Sequence, residues 1–183
     1  MSEPGEPEYL EPRVVHNGPI LLVEPDPAWA SQFTRARSRI RAALGRRAVG
    51  IEHVGSTSIP GLPAKPILDI VLVVTDSSDE SSYVPDLIGI GYRLRLREPH
   101  WHEHRLLRHD EPSTNLHVFG AGSPEVERMT LFRDQLRRHP EERERYARVK
   151  RELAAREWEF VQDYADAKSA VVEDILARAA SPA

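Results

Sequence analysis

Residues 55–74 combine a small-residue loop, a lysine and an apolar strand that carries one carboxylate. The segment reads GSTSIPGLPAKPILDIVLVV, in which Lys65 precedes the strand and Asp69 lies inside it. An ionised carboxylate in apolar surroundings is costly unless it is paired, neutralised or bound to a metal ion. The backbone N–H groups of the Gly55-Ser56 turn are suited to binding a phosphate. Loop and carboxylate together predict a site for a phosphate and a cation.

Lysine is rare in this chain, so each lysine is a candidate for function. Only three of the 25 basic residues are lysines, namely Lys65, Lys150 and Lys168. Arginine cannot replace a compact, flexible ammonium group where one is required, which makes Lys65 a candidate site residue. Lys150 and Lys168 lie on predicted late helices. Two interpretations stay open for them: part of an anion pocket, or solvated helix charges.

The hydrophobic pattern predicts the elements that must position these residues. Ala48–Val54 and Pro66–Thr75 have strand patterns, and the second is apolar enough to be buried on both faces. A helix is predicted from Asp26 to Gly45 and helices from Ser123 to the C-terminus, with a break near 156–158. Further strands are predicted at 92–98, 104–109 and 115–120. This order predicts an α/β (or α+β) domain with a mixed sheet flanked by helices and a helical C-terminal tail.

Composition predicts one domain. The chain has 183 residues, of which 40% are hydrophobic, and this suits a single core. Residues 1–19 hold four prolines and four glutamates and are predicted to form a disordered or loosely packed arm. Residues 20–180 are predicted to form the domain.

Charge and residue usage exclude several classes of protein. The net charge is −4, which argues against a dedicated nucleic-acid-binding protein. The absence of cysteine excludes disulfides and thiolate ligands. No apolar run is long enough to span a membrane and no signal peptide is apparent, so we expect a cytoplasmic protein without a membrane partner.

Several motifs resemble the GrpB family, a bacterial group with a nucleotidyltransferase-like (polymerase-beta-like) fold. They are HVGSTSIPGLPAKPILDI, NLHVF, LFRDQLRRHPEERERYARVKRELA and YADAKSAVVEDILARA. The likeness extends over residues 23–179. A related domain occurs fused to some dephospho-CoA kinases, so the resemblance implies nucleotide or CoA as a ligand class.

The resemblance also implies roles for particular residues. Ser56 matches the phosphate-binding serine of nucleotidyltransferases and Asp69 the first of their metal-binding carboxylates. The second carboxylate position falls at Val71, which cannot ligate a metal, and His117 is the candidate for the third. This departure argues against transfer with two magnesium ions and favours one divalent ion (Mg, Mn or Zn) on Asp69 and His117. The alternative is a structural Asp69 paired with Lys65 or Arg105.

The remaining candidates each have two open interpretations. His102 and His104 lie on one face of an extended segment, as further metal ligands or as substrate contacts. His53 either orients the loop or is a core histidine, and Arg133 either clamps an anion or pairs with Asp134. The predicted phosphate- or substrate-binding set is Gly55, Ser56, Thr57, Ser58, Arg105, Arg133, Lys150 and Lys168.

These features predict an enzyme that acts on a small phosphorylated or carboxylated molecule. Nucleotidyl transfer is the default chemistry of the resembled superfamily. An acid–base reaction with His117 as the base and Lys65 as the electrostatic stabiliser is the variant. The alternative is a non-catalytic module that binds a nucleotide or CoA, or assists a partner protein.

Overall fold

The computed structural model describes residues 6–12 and 15–180. A six-stranded mixed sheet with strand order β1-β5-β6-β7-β4-β3 forms its centre, and β2 pairs with β8 in a separate small sheet. Within the large sheet β4 and β7 are parallel and the other pairs antiparallel. The strands are β1 Glu8–Tyr9, β2 Val15–Gly18, β3 Gly50–Val54, β4 Leu68–Val74, β5 Arg93–Glu98, β6 His104–His109, β7 Thr114–Gly120 and β8 Trp158–Phe160. The helices are α1 Ala28–Leu44, α2 Val84–Gly89, α3 Pro124–Arg138, α4 Pro140–Ala154, α5 Val161–Asp166 and α6 Ser169–Ala180.

Helix α1 begins and ends where its sequence predicts. Asp26 accepts a hydrogen bond from the N–H of Ala28 at 2.8 Å, which satisfies one of the free donors of the first turn. Gly45 ends the helix at φ 57°, in the left-handed region that favours glycine. The buried stripe of α1 includes Trp29 and Ile40 and packs on the sheet.

The two faces of the sheet have different roles because side chains alternate along each strand. On β4, Leu68, Ile70 and Leu72 belong to the core cluster shared with α1 and α2. The residues between them, Asp69 and Val71, point to the opposite face. The predicted site therefore lies on the face turned away from α1.

That opposite face is closed by apolar packing at one end. Val71 contacts Val54 and Phe119 there, and Val126 and Met129 of α3 pack against this cluster. A second cluster joins Ile59 and Leu62 of the loop after β3 to α3, α4 and α6. The C-terminal helices thereby hold the loop against the sheet and leave a cavity beside Asp69.

The predicted α/β fold class with a mixed sheet and a helical tail is confirmed. Three short strands were not predicted: β8, where the helix break was expected, and β1 and β2 within the predicted arm. β1 pairs with β5, and β2 pairs with β8. Residues 1–5 and 13–14 of that arm lie outside the described residues. In the segment 20–23, Val23 makes an isolated bridge to Ala64.

No helix among residues 6–12 and 15–180 is long and apolar enough to cross a membrane.

Candidate functional site

A cavity of about 340 Å³ lies between β4, β7 and the helices α4 and α5. All three lysines of the chain line it, although they are separated by up to 103 positions in sequence (65 to 168). We call it the lysine cavity. Its polar lining residues are Ser56, Lys65, Asp69, Asn115, His117, Lys150, Gln162, Tyr164 and Lys168.

The three ammonium groups have no carboxylate partner in direct contact. Among residues 6–12 and 15–180, no carboxylate oxygen lies within 4.0 Å of any of them. Lys150 is only 2% exposed, and its Nζ donates a hydrogen bond to the carbonyl of Pro63 at 2.5 Å. Lys168 Nζ lies 4.3 Å from the centroid of the Tyr164 ring, a cation–π distance. The cavity therefore holds positive charge that the protein itself does not fully neutralise.

Burial and mutual repulsion weaken the hold of these lysines on their protons. Burial lowers the pKa of Lys168 from 10.5 to about 8, and the charge of Lys65 adds to the effect. The pKa of Lys150 is lowered well below its ordinary value by burial first and by Lys168 second. Burial also lowers the pKa of Lys65. A bound anion would reverse these shifts, because it favours the charged amine.

Among the described residues that line the cavity, Asp69 is the single carboxylate. Its side chain is 33% exposed, and Asn115 donates a hydrogen bond to its Oδ1 at 3.0 Å. Burial opposes its ionisation, but contact with His117, the Asn115 bond and the charge of Lys65 together hold its pKa below the usual value. Asp69 is therefore ionised at neutral pH.

Gly55 makes room for this carboxylate. Its φ is +68°, and a Cβ at this position would overlap the Asp69 side chain. Both the backbone conformation and the close approach require glycine. The Gly-Ser motif is thus tied sterically to the aspartate that follows it in sequence.

A chain of hydrogen bonds leads from the sheet edge to the cavity. His104 Nδ1 lies 2.6 Å from Glu98 Oε2, and His104 Nε2 lies 3.1 Å from His117 Nδ1. The other nitrogen of His117, Nε2, lies 3.7 Å from Asp69 Oδ1. That last distance is too long for a direct hydrogen bond, so both atoms keep capacity to bond a ligand.

The chain fixes which nitrogen of His117 carries the proton. Burial lowers the pKa of His104 to about 4, so His104 is neutral and has one N–H. The Glu98 carboxylate only accepts, so His104 donates from Nδ1 and accepts at Nε2. His117 must then donate from Nδ1, and whenever the ring is neutral it presents the Nε2 lone pair to the cavity. This nitrogen is positioned to take a proton or to ligate a cation.

In the loop after β3, one polar side chain faces the lysine cavity and the others bond within the protein. The Ser56 side chain lines the lysine cavity and lies near enough to Tyr146 to oppose the rise of that tyrosine's pKa. Thr57 bonds instead to His53 Nε2 at 3.1 Å and to the carbonyl of Ile67. Ser58 donates to the carbonyl of Gly55. Only Ser56 of the predicted loop side chains reaches the cavity.

Arg105 lies away from the cavity. It is 5% exposed and bonds to Glu80 and Glu103. Arg105 differs by an odd number of positions from His104 and Leu106, so it points to the other face of β6. It therefore neither pairs with Asp69 nor neutralises a ligand in this cavity.

Four other candidate residues also serve elsewhere. Arg133 bonds to Glu52, Asp134 and the carbonyl of His53, which fastens α3 to β3. His104 has both ring nitrogens engaged in the chain described above. His102 lies in the turn before β6 at φ 55°, next to the Trp101 ring. His53 stacks on Phe33 at 4.7 Å, and burial lowers its pKa to about 4.

Sequence reasoning missed Asn115, Glu98 and Tyr164. Asn115 is two positions before His117 on β7, so strand alternation would have placed it on the same face. Glu98 faces His104 across the β5–β6 pair, which depends on a register that the sequence does not reveal. Tyr164 reaches the cavity through the packing of α5, and no local signal predicts that.

The donor set does not fit a resident pair of metal ions. Among the described residues, no group of three or more His, Asp or Glu side chains is arranged to hold a metal ion. Val71, at the second carboxylate position, is fully buried in the apolar cluster. Asp69 and His117 supply two ligands, whereas catalytic zinc sites in proteins commonly use three. The three lysines would also repel a divalent cation.

Comparison with known proteins identifies close relatives. A family model described as GrpB protein matches residues 19–178. The UPF0157 protein of Halalkalibacterium halodurans is 57% identical over 164 residues, covering 90% of this chain and 84% of that protein. The crystal structure of the conserved protein GrpB from Enterococcus faecalis has a TM-score of 0.70 and 27% identity, covering 87% of this chain and 96% of that one.

A longer relative contains a similar segment. The dephospho-CoA kinase of Mycolicibacterium paratuberculosis is 32% identical over 197 residues, a match that covers 93% of this chain. The match covers 48% of that kinase.

Proposed function

The chain belongs to the GrpB family, as its motifs predicted, and we propose that the lysine cavity binds a small phosphorylated or carboxylated molecule on which His117 performs acid–base chemistry. The ligand's anionic group lies among the three lysines and near Ser56. Its reacting atom lies between His117 Nε2 and Asp69.

The observation that carries this proposal is the convergence of every lysine in the chain on one cavity. Lys65, Lys150 and Lys168 bring three amines that a bound anion would hold protonated, and Asp69 is the single carboxylate among the described residues that line the cavity. Charges removed from water are costly unless they are paired. An anion in the cavity would supply the missing partner, with a shape and size set by a space of about 340 Å³.

The proposed chemistry uses the groups that the protein orients. His117 Nε2 accepts a proton from the ligand, and the electron pair left behind develops as negative charge on the ligand. The lysine ammonium groups stabilise that charge as it forms. Asp69 then stabilises the imidazolium at His117, since the two side chains lie 3.7 Å apart. Return of the proton to another ligand atom completes the cycle.

This proposal departs from the default chemistry of the nucleotidyltransferase superfamily. Transfer with two metal ions needs a second carboxylate where this chain has buried Val71. The donor set described above does not fit such a pair. No proposed step therefore passes through a metal ion.

A second candidate function is a module that binds a nucleotide or CoA without catalysis. The similarity to a dephospho-CoA kinase over part of that enzyme's length supports this alternative. The same lysines would bind phosphate groups, but His117 would have no proton to transfer. Turnover, rather than binding, separates the two candidates.

Binding is tested first, by calorimetric titration with inorganic phosphate, pyrophosphate, adenosine triphosphate and CoA. Thermal unfolding gives a second measurement, because a ligand at about 100 times its Kd should raise the free energy of unfolding by about 2.7 kcal/mol. We expect Lys168→Gln to lose this binding and Arg46→Gln, an exposed change just after α1, to keep it. Equal binding by both variants would refute the proposed anion site.

Turnover is tested next with a panel of small phosphorylated and carboxylated molecules, followed by phosphorus and proton NMR. We expect His117→Asn to bind ligand and to abolish its conversion. Retained conversion in this variant would remove His117 from the mechanism. Binding with no conversion of any nucleotide or CoA compound would favour the module.

A further inference from the structure

A second cavity of about 340 Å³ adjoins the lysine cavity. The two share six lining residues and lie side by side along the sheet, and we refer to them together as the cleft. The residues that line both are Lys65, Ile67, Leu106, Asn115, Val161 and Gln162. Arg108 lines the second cavity, and we call it the Arg108 cavity.

Arg108 has no ion-pair partner among the residues that the structure describes. Its Nε is buried and bonds to no atom of the described residues, and none of their carboxylates lies within 4.0 Å of its guanidinium. The neighbouring strand gives the contrast: Arg93 pairs with Asp110, and Arg95 pairs with Glu11. A buried N–H donor without an acceptor costs free energy, and a bound ligand that supplies an acceptor would remove this cost.

The sheet register places Arg108 in line with the proposed site. Asp69 pairs with Asn115 across β4 and β7, and Asn115 pairs with Arg108 across β7 and β6. Two strand spacings separate the backbones of Asp69 and Arg108, which is roughly 10 Å. Arg108 is also near enough to Lys65 for its charge to lower the lysine pKa, after the effects of burial and Asp69.

Between these charged ends, apolar side chains line part of the cleft, beside the polar Asn115 and Gln162. Leu106 lies on its floor, and Leu96 and Phe160 contribute to the walls of the Arg108 cavity. An apolar chain would pack here, whereas a strongly hydrated one would lose water without replacement contacts. A planar guanidinium binds carboxylate or phosphate through two parallel hydrogen bonds.

We propose that the Arg108 cavity is a second anion subsite, so that the ligand carries two anionic groups joined by an apolar linker. One group binds the lysines, as the proposed function requires, and the other binds Arg108. The second group is a phosphate or a carboxylate. This inference rests on the proposed function and narrows its substrate class from anions in general to molecules with an anionic group at each end.

Calorimetric titration with matched pairs of compounds tests the subsite. Butyl phosphate offers one anionic group, butanediol bisphosphate offers a phosphate at each end, and phosphooxybutanoate replaces the second phosphate with a carboxylate. Hexyl analogues extend the linker. We expect at least one two-ended compound to bind about tenfold more tightly than its single-ended partner, and its second group identifies the anion that Arg108 prefers.

The variant Arg108→Gln should abolish this advantage and leave the affinity for butyl phosphate unchanged. Arg46→Gln, at an exposed arginine outside the cleft, is the matched control and should keep the advantage. Thermal unfolding checks that each variant folds. Lys168→Gln should weaken the single-ended and two-ended compounds alike.

The outcomes separate the two proposals. If butyl phosphate binds but no two-ended compound binds more tightly, or if Arg108→Gln keeps the advantage, the second subsite is refuted and the lysine site stands. If neither class of compound binds the wild-type protein, the proposed function and the second subsite both fail. A tenfold advantage that depends on Arg108 supports both.

Discussion

At the scale of single residues, the cavity distinguishes lysine from arginine. The chain uses arginine for 22 of its 25 basic residues and places its three lysines around one cavity. A guanidinium is larger, planar and always charged, whereas an ammonium is compact and can lose its proton when buried. The lowered pKa of each lysine is a property that arginine would not share.

We expect Lys65→Arg to weaken phosphate binding by about tenfold although it keeps the charge. Lys65 Nζ lies 5.8 Å from the centroid of the Tyr164 ring, and the larger guanidinium would occupy space that the ligand requires. Calorimetric titration with inorganic phosphate measures the change. Lys65→Gln removes the charge and is the comparison. Unchanged affinity in Lys65→Arg would show that the compact shape of lysine is not required at this position.

At the scale of elements, the strands position the site better than the sequence alone could indicate. The elements that bear Asp69 and His117 were predicted, and both side chains face the cavity. Alternation along β6 separates Arg105, which was predicted as a site residue, from Arg108, which was not. The difference is a choice of face, and the sequence does not identify which face of β6 is covered by α2 and which by the cavity.

The helical side of the site was less predictable. Lys150 and Lys168 were candidates, but a helix charge faces solvent by default. The structure places Lys150 on α4 and Lys168 in the turn between α5 and α6, so their position depends on how these helices pack when Tyr146 and Tyr164 become buried. Such packing depends on contacts between residues far apart in sequence, so local pattern cannot supply it.

The contact of His104 on β6 with His117 on β7 allows a prediction about the tautomer of His117. In His104→Phe the ring volume is nearly kept, including the stack on Phe119, but the acceptor for His117 Nδ1 is lost. We expect His117 to leave the Nδ1–H form that exposes Nε2, as measured by nitrogen-15 NMR of the imidazole.

The control for that prediction is Glu98→Gln. Its amide oxygen can still accept the proton of His104 Nδ1, so the tautomer of His117 should not change. A purely structural role for His104 would leave the His117 nitrogen shifts in place in both variants. That result would contradict the proposed orientation of the base.

At the scale of the whole molecule, the lysine cavity concentrates basic groups although the net charge of the chain is negative. The chain has a net charge of −4, and many of its arginines are paired with carboxylates at the surface, as Arg93 is with Asp110. The lysine cavity keeps its excess of cations behind this paired surface. Small anions should therefore bind there without the broad basic face that nucleic-acid binding requires.

This charge distribution makes anion binding depend on pH. The pKa of Lys168 is about 8 in the ligand-free cavity, and an anion favours the protonated amine, so binding takes up a proton above that pH. Sulfate keeps its own charge in this range. We expect its Kd to rise by up to about tenfold per pH unit above pH 8, as measured by calorimetry. Lys168→Gln should bind sulfate weakly and with a flatter pH profile.

The stability of the ligand-free protein should rise with pH over the range in which sulfate affinity falls. The pKa of Lys168 is lowered from 10.5 to about 8, so between these values the unfolded chain holds more protons than the folded one. The free energy of unfolding therefore rises with pH from about 8. Burial raises the pKa of Tyr146, which opposes this rise above about pH 10. Thermal unfolding from pH 7 to pH 10 without sulfate measures the effect, and a fall in both stability and sulfate affinity across this range would contradict the charged-lysine account of the cavity.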